Sequence, residues 1–249
     1  MNAIHHLATE PELVAGIGAT HYAPARFPED GFVHCCAGPA SALAVARDYF
    51  GSAAEPVLAL AIDPSRLDAE LVFEAPAPLP GAPREHLATA EKFPHVYGPI
   101  ALRAIAGAAR LERRGGGFAW PGRFAPLGES LAAAIAARLP AARGLAGLRA
   151  IRRSYSRALH QAPAKLVLEI GESLVASGSA GARVVGSELV LHHPTALAEI
   201  RPRDVRRMAG SLASWSDVDV FACMVAGQAY RDGRLADSEI LRWTRSRDR

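Results

Sequence analysis

The sequence has little cysteine, almost no lysine and no long apolar run. Its 249 residues include three cysteines, of which Cys35 and Cys36 are adjacent and would be bridged only with strain, so a disulfide framework is not expected. No apolar run approaches the roughly 18 residues that cross a bilayer, and no basic region followed by an apolar stretch opens the chain. These absences predict a protein of the reducing cytoplasm with no membrane partner.

Charge is distributed unevenly between the two halves of the chain. Residues 1–112 carry 7 basic and 13 acidic side chains, whereas residues 113–249 carry 21 and 12. A GC-rich coding bias explains why 26 of the 28 basic residues are arginine, but it does not explain their segregation. The swing in charge predicts two modules, and the basic second module is the candidate for binding a polyanion such as nucleic acid.

The first half has the pattern of a mixed α+β domain. Pro39 begins a segment in which Leu43, Ala46 and Phe50 follow helical spacing, which predicts an amphipathic helix. Proline-rich residues 75–92 are expected to form a loop beside a site. Short apolar stretches bounded by Pro, Gly and Asp predict strands at residues 3–8, 31–36, 57–62, 71–74 and 100–111.

The second half has helical periodicity throughout. Leu166, Ile170 and Leu174 lie on one helical face, and similar spacings recur to the end of the chain. About six helices fit this region, either as an α-solenoid of helical pairs or as a compact bundle. We therefore divide the chain into an α+β domain at 1–112, a glycine-rich linker at 113–126 that sustains neither helix nor strand, and an all-α domain at 127–249.

Three histidines lie in short sequence motifs, and pairing of the predicted strands would bring their side chains to one cleft. They are His6, His34 and His95, and as neutral imidazoles they donate and accept hydrogen bonds near pH 7. His5 is expected to face the other side of its strand. The spacing matches no metal site, so no metal is predicted. A histidine on a half-buried strand is also often purely structural, and that interpretation stays open.

Residues 1–111 resemble the bacterial family called domain of unknown function 952. The resemblance is carried by Gly31 to Cys35, by the Asp63-Pro64 turn and by the string from Phe93 to Pro99. It implies a fold like that of the ADP-ribosyltransferases, with NAD or a related nucleotide as the ligand and His6 in contact with its ribose. The glutamate that such chemistry uses has only Glu74 and Glu91 as candidates. The implied pocket residues are His6, Tyr22, His34, His95 and Tyr97.

Residues 127–249 resemble the DNA alkylation repair family of HEAT-like helical glycosylases. The matching strings run from Arg153 to Arg157, from Leu166 to Gly178 and from Trp215 to Asp219. The resemblance implies excision of N3- and N7-alkylpurines from double-stranded DNA without a cofactor, with Trp215 and Asp219 as catalytic residues. It implies a partial solenoid, because the family continues with several more helices after residue 249, and we expect an incomplete reading frame or impaired activity.

The paired indole and carboxylate suit that chemistry. An alkylated purine is cationic, so its glycosidic bond breaks through a transition state with positive charge on the sugar, which a carboxylate stabilises. An indole adds cation–π attraction of about 0.5–2 kcal/mol. Phosphate contacts would fall to exposed arginines, and the candidates are Arg152, Arg153, Arg206 and Arg207.

Other interpretations of the second half remain open. Trp215 is equally suited to a core position between helices, and Asp219 to the acidic first turn of a helix. Arginine runs are often solvated faces. Three functions follow from the sequence: an alkylpurine DNA glycosylase, a DNA-binding module without catalysis, and an enzyme whose activity lies in the N-terminal nucleotide pocket.

Overall fold

The fold is described from a computed structural model, which covers residues 2–75, 92–210, 212 and 214–245. The chain forms two compact units, Met1–Ser130 and Leu131–Arg249, so the division falls inside one helix, Leu127–Arg138. The first unit is rich in sheet and the second is helical. This confirms the predicted combination of an α+β part and an all-α part. The predicted loop at 75–92 lies almost wholly outside the described residues.

Two three-stranded antiparallel sheets form the frame of the first unit. The strands are β1 Ile4–Thr9, β2 His21–Tyr22, β3 Val33–His34, β4 Val57–Ile62, β5 Glu70–Glu74, β6 Phe93–Tyr97, β7 Ile100–Ala101, β8 Ile105–Arg110, β9 Glu112–Arg114 and β10 Gly117–Ala119. One sheet has the order β1-β4-β8 and the other β3-β6-β5, while β2 pairs with β7 and β9 with β10.

A backbone bridge connects the two larger sheets. The amide of His5 in β1 donates to the Cys36 carbonyl at 2.9 Å, and the Cys36 amide donates back to the His5 carbonyl at 2.7 Å. Because Cys36 lies two residues after the end of β3, this pair of hydrogen bonds holds the start of β1 against the end of β3. The histidines of both strands are thereby brought together.

Among the described residues of the first unit, three α-helices accompany these strands: α1 Glu10–Ala15, α2 Phe27–Asp30 and α3 Pro39–Phe50. The predicted helix is confirmed from Pro39 to Phe50, with the proline in its first turn, where a missing amide hydrogen costs nothing. Ala42 and Ala46 are fully buried and pack with Leu7, Val57 and Leu111 in the core. Small side chains on this face bring the helix close to the sheet.

The linker expected at 113–126 is wrong over its first part, because residues 112–119 form a β-hairpin. Gly115 and Gly116 make its two-residue loop, with φ of 57° and 80°. Positive φ at both central residues is what a type I′ hairpin turn requires, and glycine adopts it without strain. Arg113 anchors the hairpin by donating to carbonyls at the end of α3, including that of Gly51 at 2.8 Å. The glycines therefore shape a tight turn rather than a flexible connection.

The second unit consists of short helices, most of which are joined by turns, while residues 222–226 are π-helical and connect two of them without a break. They are more numerous than the six expected, because the chain breaks at more places than the apolar spacing reveals. With the helix that spans the division, they are α4 Leu127–Arg138, α5 Gly144–Ala158, α6 Ala164–Ala176, α7 Ala180–Leu191, α8 Ala196–Glu199, α9 Pro202–Ala209, α10 Trp215–Phe221, α11 Gly227–Arg231 and α12 Asp237–Thr244.

Glycines let α6 and α7 approach backbone to backbone. A Cβ atom on Gly171 would lie 2.6 Å from a methyl of Val190, and one on Gly186 would lie 2.8 Å from the Gly171 carbonyl oxygen. Ile170 and Leu174 are fully buried beside this contact, as their spacing predicts. In the described part of the chain, no helix combines the length and apolar character that a bilayer crossing needs.

Candidate functional site

A pocket of about 190 Å³ lies in the first unit, and its walls come from both larger sheets and from α1 and α3. Most of its surface is apolar, with aromatic side chains such as Phe32, Tyr49 and Phe50. Four of the five side chains predicted for an N-terminal site line it: His6, Tyr22, His34 and His95. The fifth, Tyr97, is not part of the wall but is linked to it through Glu74.

His6 and Tyr22 form a buried hydrogen-bonded pair at one end of the pocket. His6 Nδ1 lies 2.7 Å from the His34 carbonyl oxygen, which only accepts, so Nδ1 donates this bond. His6 Nε2 then accepts from the Tyr22 hydroxyl at 3.0 Å. Burial lowers the pKa of His6 to about 4 and raises that of Tyr22. Both side chains are therefore neutral near pH 7, and the His6 tautomer is fixed.

His5 faces away from the pocket, as expected for a neighbour on a strand. Its ring packs edge-on against Trp120 with centroids 4.8 Å apart, and it also contacts Phe124. The doublet in β1 thus sends one imidazole into the pocket and the other into the core.

His34 and His95 are cross-strand partners on β3 and β6, with ring centroids 5.2 Å apart. Burial lowers the pKa of His34, and the neighbouring His95 lowers it further, whereas Asp30 acts in the opposite direction. Asp30 Oδ2 lies 3.5 Å from His34 Nε2, and Asp30 also binds Arg26 at 2.9 Å. The pocket therefore presents a carboxylate and a guanidinium beside two imidazoles.

Glu74 joins this cluster from β5. Its Oε1 accepts from His95 Nδ1 and from the Tyr97 hydroxyl, each at 2.7 Å. These two bonds, that from Tyr97 first, lower the pKa of Glu74, so its carboxylate is ionised near neutral pH. Among the two glutamates considered from the sequence, Glu74 reaches the site, and Glu91 lies outside the described residues.

Asp30, Arg26 and Phe32 are site residues that sequence reasoning missed. Arg26 and Asp30 are spaced four apart in and before α2, a spacing typical of a solvated helical ion pair, so it gave no sign of a site. Phe32 packs on the rings of His34, His95 and Tyr97 with centroid separations of 4.7, 4.3 and 5.3 Å. It follows Gly31, whose φ of 77° turns the chain from α2 into β3.

Metal-ligating side chains are not grouped for a metal ion in the part of the chain that the structure describes: no set of three or more His, Cys, Asp or Glu residues has the required arrangement. The cluster instead consists of hydrogen-bonded pairs, with Glu74 bound to His95 and Asp30 to Arg26. Its chemistry is that of proton donors and acceptors.

In the second unit, Trp215 and Asp219 are both exposed on α10, one helical turn apart. Trp215 is 79% exposed, which excludes the alternative that it is a core residue. Asp217, between them, points the other way: it is 5% exposed and pairs with Arg183 at 2.6 Å. Ser214 is the N-cap of α10, and its hydroxyl accepts from the Asp217 amide. The acidic residue of the first turn is therefore Asp217, and Asp219 lies further along the helix.

Three of the four arginines predicted for phosphate contact are held in ion pairs within the protein. Arg152 binds buried Glu188 at 3.2 Å and is largely buried itself. Arg206 lies 3.3 Å from Glu239, and Arg207 lies 2.8 Å from Asp204 and 3.3 Å from Glu172. Arg153 is exposed. Of the set, Arg153 is thus the arginine best placed for a partner in solution.

Comparison with known proteins finds a family match within the first unit. Residues 7–108 match a family described as a protein of unknown function, DUF952, as the sequence motifs indicated. Two crystal structures of the protein CC0527 from Caulobacter crescentus, one of them a double mutant, are similar to this chain. They are 23% and 22% identical to it, cover 47% of this chain and 91% of their own, and have TM-scores of 0.36. No curated protein matches the chain.

Proposed function

We propose that the first unit binds a nucleotide of the NAD type in the histidine-lined pocket and acts on it, with a fold of the ADP-ribosyltransferase type. The observation that carries the proposal is the buried pair of His6 and Tyr22 at the end of an apolar cleft, beside a second polar cluster. A concave, mostly apolar pocket with a few fixed polar groups is the usual form of a small-molecule site.

The donors and acceptors of the pocket suit the parts of such a ligand. Both ring nitrogens of His6 are used within the protein and Tyr22 is fully buried, so this hydrogen-bonded pair would form a fixed floor beneath the ligand. Asp30 supplies an acceptor for ribose hydroxyls, and Arg26 supplies a cation for phosphate. The volume is below the roughly 300–1,000 Å³ that encloses drug-sized ligands, so the pocket would enclose one nucleoside half of a dinucleotide.

Ligand-induced stabilisation tests the proposal. NAD at about ten times its Kd is expected to raise the melting temperature of the wild-type protein by about 3–6 °C. The shift should disappear in His6→Ala and shrink in Asp30→Asn, which leaves the buried pair intact. His21→Gln is the matched control, because His21 is bonded to Asp68 outside the pocket. An unchanged melting temperature with millimolar NAD, ADP-ribose and nicotinamide would contradict the proposal.

A second candidate function rests on α10. We propose that the helical unit, as a HEAT-like solenoid, binds DNA through this face and excises alkylpurines. The observation favouring it is that Trp215 and Asp219 are both exposed one turn apart, where an indole and a carboxylate are able to meet the same nucleotide. The net positive charge of residues 113–249 also favours a polyanionic partner.

A base-release assay distinguishes a DNA glycosylase from a DNA-binding module without catalysis. Wild-type protein is expected to release N7-methylguanine from alkylated duplex DNA, and Asp219→Asn is expected to lose that release while still binding duplex. Binding without release in either protein would indicate a DNA-binding module without catalysis. Arg153→Ala should lower the salt dependence of binding by about one unit of slope if Arg153 contacts a phosphate. Absence of duplex binding at low salt would remove both forms.

A further inference from the structure

Glu74, His95 and Tyr97 form a hydrogen-bonded chain across two neighbouring strands. Glu74 lies opposite Phe93 in the pairing of β5 with β6, which places it diagonally next to His95. One carboxylate oxygen accepts from both His95 Nδ1 and the Tyr97 hydroxyl at 2.7 Å. The sheet register, and not a flexible loop, therefore sets the geometry.

The carboxylate fixes which nitrogen of His95 carries the proton. Since an ionised carboxylate only accepts hydrogen bonds, Nδ1 must donate, and in the neutral ring Nε2 then holds a lone pair. No hydrogen-bond partner for Nε2 is found among the described residues. His95 lines the pocket, and the nearby rings of Phe32 and His34 restrict its rotation.

The other two histidines of the pocket are less suited to take up a proton. Both nitrogens of His6 are engaged, and burial lowers its pKa to about 4. His34 has the carboxylate of Asp30 near Nε2, but Asp30 is itself bound to Arg26, and burial lowers the pKa of His34. His95 has a carboxylate directly behind it and lines the pocket, and none of the described residues hydrogen-bonds its Nε2.

We propose that His95 is a general base of the pocket, oriented by Glu74, and that it takes the proton of a water molecule or sugar hydroxyl bound at Nε2. This rests on the proposed function for the reaction that follows. With NAD and water, the water proton passes to Nε2, the oxygen bonds to the ribose C1′, and the C1′–nitrogen bond breaks. Nicotinamide leaves with the electron pair, and His95 then releases the proton to solvent.

Nicotinamide release from NAD measures this step. General-base catalysis contributes roughly 10²–10⁴-fold, so His95→Ala is expected to lower kcat about 100-fold with KM changed less than about threefold. Added imidazole should restore part of the lost kcat. Glu74 acts through His95, so Glu74→Gln should lower kcat about tenfold, and Glu74→Asp should recover part of it. His21→Gln serves as the control with unchanged kinetics. Unchanged kcat in both His95→Ala and Glu74→Gln would overturn the proposal.

A measurement without substrate separates this proposal from the proposed function. Nitrogen-15 NMR of wild-type protein labelled at histidine is expected to show His95 as the Nδ1–H tautomer, and Glu74→Gln should release it to a mixture of tautomers. A protonated Nε2 in neutral wild-type His95 would overturn the general-base assignment. If NAD does not bind but His95 is the Nδ1–H tautomer, the proposal of NAD as the ligand fails, whereas the assignment of His95 as a base stands for another hydroxyl-bearing ligand.

Discussion

Replacing Asp217 by asparagine is expected to destabilise the helical unit by about 3–5 kcal/mol, the usual cost of leaving one charge of a buried ion pair without its partner. Asp217 Oδ1 lies 2.6 Å from Arg183 Nε, and the two side chains are 5% and 10% exposed. The Ser214 hydroxyl donates to the second carboxylate oxygen at 2.7 Å. The pair connects α7 to α10, so its loss should loosen both helices.

Asp219→Asn is the matched control, since it makes the same chemical change two residues further along the same helix at an exposed position. A change within about 0.5 kcal/mol is expected there. Urea unfolding followed by circular dichroism, with hydrogen exchange of α7 peptides, measures both variants. The double variant Arg183→Met with Asp217→Leu should recover much of the loss, because it leaves no buried charge. Equal stabilities of Asp217→Asn and Asp219→Asn would contradict the expected role of the pair.

Acidification from pH 7.5 to 4.5 is expected to destabilise the first unit by about 2–3 kcal/mol through His6 alone. The unfolded chain protonates this imidazole near its ordinary pKa of 6.5, whereas burial in the folded unit lowers that pKa to about 4. Between these values the unfolded state binds more protons, so the free energy of unfolding falls as the pH falls. Above pH 6.5 the stabilisation is fully present.

The pH dependence of urea unfolding for wild type and His6→Gln measures this contribution. The variant should be less stable at pH 7.5 but should lose about 2–3 kcal/mol less than wild type on going to pH 4.5. His34, whose pKa burial also lowers, contributes in the same direction in both proteins and therefore cancels in the comparison. If His6→Gln does not fold, NMR titration of His6 in folded wild type replaces it. Protonation of His6 near pH 6.5 in the folded state would contradict the prediction.

The fold was predictable where local chemistry agrees with the final packing. β4 and α3 match their predicted bounds, because a short apolar run bounded by Pro56 and Asp63 and a proline in the first helical turn are strong local signals. The hairpin at 112–119 was missed, since glycine marks both flexible linkers and tight turns, and only pairing with a second strand distinguishes them.

The site was predictable in its residue types and less so in its partners. His6, Tyr22, His34 and His95 were identified from motifs, but the partnership of Glu74 with His95 depends on the register of β5 against β6. A shift of one residue would turn Glu74 to the opposite face, and the sequence does not specify that register. Likewise, nothing in the spacing of Trp215, Asp217 and Asp219 tells which of the three is buried.

Because His5 and His6 are adjacent in β1, the strand carries an imidazole on both faces, and only its register against β4 decides which one enters the pocket. Displaced by one position along β4, the strand would still offer an imidazole to each side, with His5 in the pocket and His6 against Trp120. The two histidine side chains by themselves therefore do not disfavour such a register shift. A shifted register must instead lose stability through the apolar pair of Ile4 with Ile62 and through the two backbone hydrogen bonds between His5 and Cys36. These contacts therefore set the alignment of the pocket.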